Sequence, residues 1–219
     1  MDIKGVIFDL DGTLVHTIDD IAGAANRMFA RHGLPEHDVS YYLKWIGNGA
    51  VRFIELAFGE PVSQEQLMVY VAEFKEIYGQ NLHNLSRVYD GIPEILDLLT
   101  ASGIKISILS NKPHQLTCEV VDFYLSDWNF SPVFGQRDEV PRKPDPAAAF
   151  EIADLMDVEP GQVLFVGDSS NDILTAQAAG MIPLGVSWGY GRLDTEAAGG
   201  DFTLVDRPKA LMAYISNII

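Results

Sequence analysis

Positive charge is scarce in this chain of 219 residues: 15 Lys and Arg stand against 31 Asp and Glu, a formal net charge of −16. Such a surface repels nucleic acid and anionic membranes at long range, so neither is expected as a partner. A small anion can still be held, because a few local cations and a divalent metal act within the Debye length of about 8 to 10 Å. The single cysteine, Cys118, excludes an internal disulfide, and its apolar helical setting suits packing rather than reactivity. No apolar run approaches the ~18 residues of a membrane span, and the N-terminus shows neither the basic region nor the cleavage site of a signal peptide. A soluble cytoplasmic protein is expected. There is no repeat and no low-complexity tract, and His16, His32, His37, His83 and His114 show no metal-ligand spacing.

Against these absences stands a composition that is 47% hydrophobic, enough to bury a full core in one large domain or two unequal ones. The first apolar run, Val6-Ile7-Phe8, reads as a buried strand and leads straight into Asp9-Leu10-Asp11-Gly12-Thr13-Leu14. Residues i and i+2 of a strand share a face, so both acids fall at the carboxyl edge of the sheet, where open α/β folds bind ligands. Asp-Gly by itself is a common turn pair. Two like charges so close also call for a cation or a shared proton.

After this strand, residues from about Thr17 to Asn84 carry helical spacing and no convincing strand. Ile21, Ala24, Ala25, Met28 and Phe29 share one helical face, Gly33 and Pro35 end that helix, and Thr17 with Asp20 resembles its capping box. Further helices are expected over 39–46, 50–58 and 64–78. From Arg87 onward helices and strands alternate, with strands at 105–109, 132–134, 163–166 and 182–186 and helices at 92–100, 115–125, 146–156 and 172–179. That alternation implies right-handed crossovers and a Rossmann-like parallel sheet covered on both faces. The expected α/β architecture is a discontinuous core, residues 1–15 and 85–219, with a small helical-bundle cap, residues 16–84, inserted after the first strand.

Three further segments are placed where a strand runs out into a loop. Ser110-Asn111-Lys112 offers a hydroxyl and an amide to phosphate oxygens, although Ser-Asn also makes an ordinary turn. In Arg142-Lys143-Pro144-Asp145-Pro146 an ammonium precedes a stiffening proline, and a helix starts at the next proline. In Gly167-Asp168-Ser169-Ser170-Asn171-Asp172 an apolar strand closes on one acid, with a second four residues later; either could instead cap a helix. Asp9, Asp11 and Asp168 together form a hard-oxygen cluster suited to Mg²⁺.

The ordered set Asp9-x-Asp11-Gly12-Thr13, Ser110-Asn111, Lys143-Pro144 and Gly167-Asp168-Ser169-x-x-Asp172 resembles the haloacid dehalogenase (HAD) superfamily. Gly12-Thr13-Leu14, the cap loop Gly47-Asn48-Gly49-Ala50 and Lys143-Pro144-Asp145-Pro146 resemble its phosphoglycolate phosphatase group. The resemblance implies a Mg²⁺-dependent phosphomonoester hydrolase acting on a small phosphorylated metabolite, as a monomer or homodimer. It implies Asp9 as nucleophile, forming an aspartyl phosphate, and Asp11 as acid and then base. By the same resemblance Asp9, the Asp11 carbonyl and Asp168 hold the metal, Ser110, Asn111 and Lys143 bind phosphate, and Asp172 with Ser169 supports the metal shell or orients Lys143. Gly47, Asn48 and Gly49 would reach the substrate from the cap, and Arg52 or Lys44 would pair with a substrate carboxylate unless it is merely a solvated surface charge. His16 and Thr17 depart from the Asp and Ser frequent in relatives, which puts His16 at the hinge. A phosphosugar mutase of the same superfamily is the alternative, though its members usually carry Val or Ile at Thr13. A non-catalytic phosphate-binding protein is a third reading, disfavoured because no motif residue is missing.

Overall fold

In the computed structural model, which describes residues 2–191 and 193–219, the first apolar run becomes β1 (Gly5–Phe8), buried at every position. A two-residue strand, β2 (Val15–His16), then leads into four helices, α1 (Ile18–Arg31), α2 (Val39–Trp45), α3 (Gly49–Phe58) and α4 (Gln64–Gly79). The chain returns through β3 (Arg87–Val88). β2 and β3 pair antiparallel with His16 opposite Arg87, so both crossings into the helical unit run side by side. Helices and strands then alternate: α5 (Ile92–Ala101), β4 (Lys105–Pro113), α6 (His114–Tyr124), β5 (Phe130–Gln136), α7 (Ala147–Met156) and β6 (Val163–Gly167). They continue through α8 (Ser170–Ala178), β7 (Ile182–Val186), α9 (Thr195–Ala198), β8 (Thr203–Val205) and α10 (Pro208–Ser216).

Six strands form one parallel sheet in the order β5-β4-β1-β6-β7-β8. Alternation along the central strands divides the core. Val6, Phe8, Ile108, Leu164 and Val166 face one layer, which continues into the four inserted helices, while Ile7, Leu109, Val163 and Phe165 face α7 and α8. After β1 the chain fills one side of the sheet with β4 and β5, then crosses to the other with β6, β7 and β8. The carboxyl ends of β1, β4 and β6 therefore meet at the crevice created by that reversal.

Two local expectations are corrected. Thr17 is the residue before α1, but no capping box forms: its hydroxyl donates to Asp11 Oδ1 at 2.6 Å. Asp20 instead accepts from the Leu85 and Ser86 amides and the Ser86 hydroxyl at 2.7–3.1 Å, joining the two crossings into the insertion. Second, β4 runs through to Pro113, so Ser110 and Asn111 lie within the strand rather than in the loop after it. The β2–β3 ribbon and β8 leave no pattern in the sequence, because two- and three-residue strands carry too little periodicity to be seen.

Candidate active site

Asp9 follows β1 directly, and its amide still donates to Val166 of β6 at 2.9 Å, which fixes its Cα at the sheet edge. The chain then turns through Gly12, whose φ of 91° suits glycine. Asp168 occupies the matching place after β6. Its Oδ2 accepts from the Tyr190 and Gly191 amides at 3.0 and 2.7 Å, so the loop after β7 orients this acid. Asp172 closes the first turn of α8 by accepting the Ser169 amide and hydroxyl on Oδ2, at 3.0 and 2.6 Å, which leaves Oδ1 for Lys143 at 2.5 Å. Asp172 thus serves at once as a helix cap and as a partner of the lysine.

Lys143 is buried and donates to Asp9 Oδ1 at 2.7 Å, Asp172 Oδ1 and the Leu109 carbonyl, the last at 2.8 Å. Burial alone would weaken its hold on a proton, but Asp172 and Asp9 reverse this and raise its pKa. For Asp9, burial pushes the carboxyl up to about 7 against the pull of Lys143, and for Asp168 burial and then the charge of Asp9 push it well above the usual range. One ammonium is too little positive charge for this group of acids.

Carboxylate oxygens of Asp9, Asp168 and Asp172 all lie within 4.8 Å of one another. Both Asp172 oxygens are committed to Lys143 and Ser169, whereas Asp9 Oδ2 and Asp168 Oδ1 accept no hydrogen bond among the described residues. Two uncommitted hard oxygens in a buried, charge-deficient site fit a divalent cation such as Mg²⁺. The Asp11 carboxylate is not in this group: Lys112 holds it at 2.9 and 3.2 Å, and Thr17 binds the same oxygen that Lys112 approaches more closely.

Above these acids is a cavity of about 300 Å³. Asp9, Asp11, Ser110, Asn111, Lys143, Asp168 and Ser169 line its floor; Gly47, Asn48, Gly49 and Lys44 line the side given by the inserted helices, with apolar Phe53 and Phe74, and Leu116 of α6 adds to the wall. Asn111 is placed differently from the expectation that its amide would serve phosphate. Its Nδ2 donates to the carbonyls of Gly47 and Lys143, at 3.0 and 3.1 Å, while its Oδ1 accepts the Lys143 amide at 2.9 Å. Arg52, expected to meet substrate from the cap, is away from the cavity, exposed and paired with Glu55 at 2.5 Å. His16, within the β2–β3 ribbon, is likewise off the cavity and edge-on to Tyr89 and Tyr190.

Sequence reasoning missed Lys112, Tyr78 and Tyr190, all of which line the cavity. Lys112 was in plain view beside Ser110-Asn111, but a lysine at a strand end reads as surface until its partners are known. Tyr78 and Tyr190 carry no local signal at all, since their roles come from distant chain segments.

Comparison with known proteins follows the same lines. The family described as haloacid dehalogenase-like hydrolase matches residues 6–186. The phosphoglycolate phosphatase of Haemophilus influenzae is 36% identical over 194 residues, covering 85% of this chain and 87% of that protein. That of Psychrobacter arcticus is 32% identical, covering 99% of this chain and 100% of its own length. A crystal structure described as a predicted phosphoglycolate phosphatase from Haemophilus somnus superposes with a TM-score of 0.86 at 29% identity, covering 98% of this chain and 99% of that one.

Proposed function

Because this chain belongs to the haloacid dehalogenase-like hydrolase family and is a phosphatase of that type, we propose that it hydrolyses a small phosphomonoester such as phosphoglycolate through a covalent intermediate on Asp9. The observation that carries this reading is the buried group of Asp9, Asp168, Asp172 and Lys143 at the floor of a cavity roofed by the inserted helices. We take residues 16–84 as a cap and residues 1–15 and 85–219 as the catalytic core, working in the cytoplasm.

Asp9 attacks phosphorus through one carboxylate oxygen, and Lys143, which donates to Oδ1, fixes the orientation of that carboxylate. The transferring group brings its own negative charge, which Lys143 and the Ser110 hydroxyl meet from the cavity floor. Asp11, held by Thr17 and Lys112, gives a proton to the departing alkoxide and then takes one from the water that cleaves the aspartyl phosphate. Asp9, Asp168 and the Asp11 carbonyl are the residues that would hold Mg²⁺, with Asp172 alongside. The metal supplies Lewis-acid neutralisation of the repulsion between nucleophile and phosphate.

Phosphate release from phosphoglycolate, hexose phosphates, nucleoside monophosphates and pyrophosphate tests the proposal, with Mg²⁺ and then with excess chelator. Chelator-sensitive release supports it, and release that ignores the chelator removes the metal from it. No release from folded protein, with isomerisation of a hexose phosphate once a sugar bisphosphate is added, replaces the hydrolase by a mutase. Asp11→Asn is expected to lower the rate on an alkyl phosphate by roughly 10²- to 10⁴-fold, and an unchanged rate removes Asp11 from the acid-base role.

A further inference from the structure

Lys112 is a buried cation to which the steps above give no task beyond contact with Asp11. Its side chain is 3% exposed, and its ammonium donates to both oxygens of Asp11 and, at 2.6 Å, to the hydroxyl of Tyr78. The ammonium also stands 4.4 Å from the centre of the Tyr78 ring, within cation–π range. A buried ammonium is tolerated only when its donors are met, and this one has exactly these side chains to meet them among the described residues. Asp11 and Lys112 belong to the sheet edge, whereas Tyr78 is the penultimate residue of α4 in the insertion.

We propose that Lys112 is a positioning residue for Asp11: it holds the carboxylate against the cavity wall in line with the leaving oxygen, and Tyr78 of the insertion holds Lys112. Remove the tyrosine hydroxyl and one ammonium donor loses its acceptor, so Lys112 is free to turn and Asp11 loses its aim. The neighbouring residue works in the same way, since Asn111 ties the backbone of Lys143 to Gly47 of the insertion. Successive residues of β4 thus each couple one catalytic residue to one segment of the roof, which makes catalytic alignment depend on the roof being seated. This inference rests on the acid-base role proposed for Asp11.

The test compares kcat/KM for phosphoglycolate with that for p-nitrophenyl phosphate. The first leaves as an alkoxide that needs a proton, and the second as a stable phenolate that needs none. Lys112→Met is expected to lower the value for phosphoglycolate roughly 10²-fold and that for the aryl ester less than about fivefold, the difference being the lost general-acid assistance. Tyr78→Phe, which removes one oxygen and keeps the ring, is expected to show the same selective loss at about tenfold; it carries the test alone should Lys112→Met fail to fold. Equal losses on both esters, or no loss on either, overturn the assignment. Wild-type protein inactive on both overturns instead the hydrolase reading beneath it, and this inference with it.

Discussion

The ammonium of Lys143 stands 2.7 Å from Asp9 Oδ1, both side chains being buried at the carboxyl edge of the sheet. The same nitrogen reaches Asp172 at 2.5 Å, so a single cation offsets two carboxylates that come from different strand ends. Removing it leaves both acids without a cation, Asp172 keeping only its hydrogen bonds from Ser169. Lys143→Met is expected to destabilise the metal-free protein by roughly 3–5 kcal/mol, the usual cost of stranding a buried charge. Urea unfolding reads this directly, and a loss under about 1 kcal/mol would show that Asp9 is already neutral.

Asp9 provides a pH signature. Its carboxyl is raised from 3.8 to about 7 by burial, so the folded protein holds this proton more tightly than the unfolded chain does. The stabilising contribution is complete below pH 3.8 and is lost as pH rises through about 7. Asp9→Asn cannot ionise, so its melting temperature relative to wild type is expected to be higher at pH 8 than at pH 5 in the absence of metal, with Mg²⁺ narrowing the gap. The same variant is expected to be inactive. A difference in melting temperature that does not change with pH would contradict the raised carboxyl.

Gly189 lies under the Asp168 carboxylate: a methyl group there would overlap Asp168 Oδ2 and the Gly12 carbonyl. Backbone on one side and an acid held by two amides on the other cannot both yield. Gly189→Ala is expected to displace Asp168, weakening Mg²⁺ activation by at least about tenfold, in the range typical for disturbed metal-site support. Titration of activity against Mg²⁺ measures it; an unaltered half-saturation point would mean that the loop after β7 shifts freely.

Lys44 lines the cavity and has no carboxylate partner among the described residues, whereas Arg52 is off the cavity and paired with Glu55. Lys44→Ala is therefore expected to raise KM for phosphoglycolate about tenfold, equivalent to ~1.4 kcal/mol, with kcat nearly unchanged. Arg52→Ala is expected to leave both constants alone. The reverse ranking in steady-state kinetics would assign the substrate carboxylate to Arg52 through a movement of α3.

Local pattern determined much of this protein. Runs such as Val6-Ile7-Phe8 and Val163-Leu164-Phe165-Val166 bury on both faces only in a covered parallel sheet, and the acids that follow them are carried to one edge because strand ends in such a sheet align. The inserted helices were legible from their spacing for the same reason: periodicity is local. What the tertiary structure alone decided is who partners whom. Thr17 has the sequence context of a helix cap but gives its hydroxyl to Asp11. Asn111 looks like a phosphate donor but spends its amide on Lys143 and Gly47. Lys112, beside Ser110-Asn111, shows no role in the sequence and is sealed between Asp11 and Tyr78. Asn111 and Lys112 take partners from distant parts of the chain, and the Thr17 hydroxyl, besides Asp11, meets that of Tyr190; a hydrogen bond between residues far apart in sequence leaves no trace in the spacing of either.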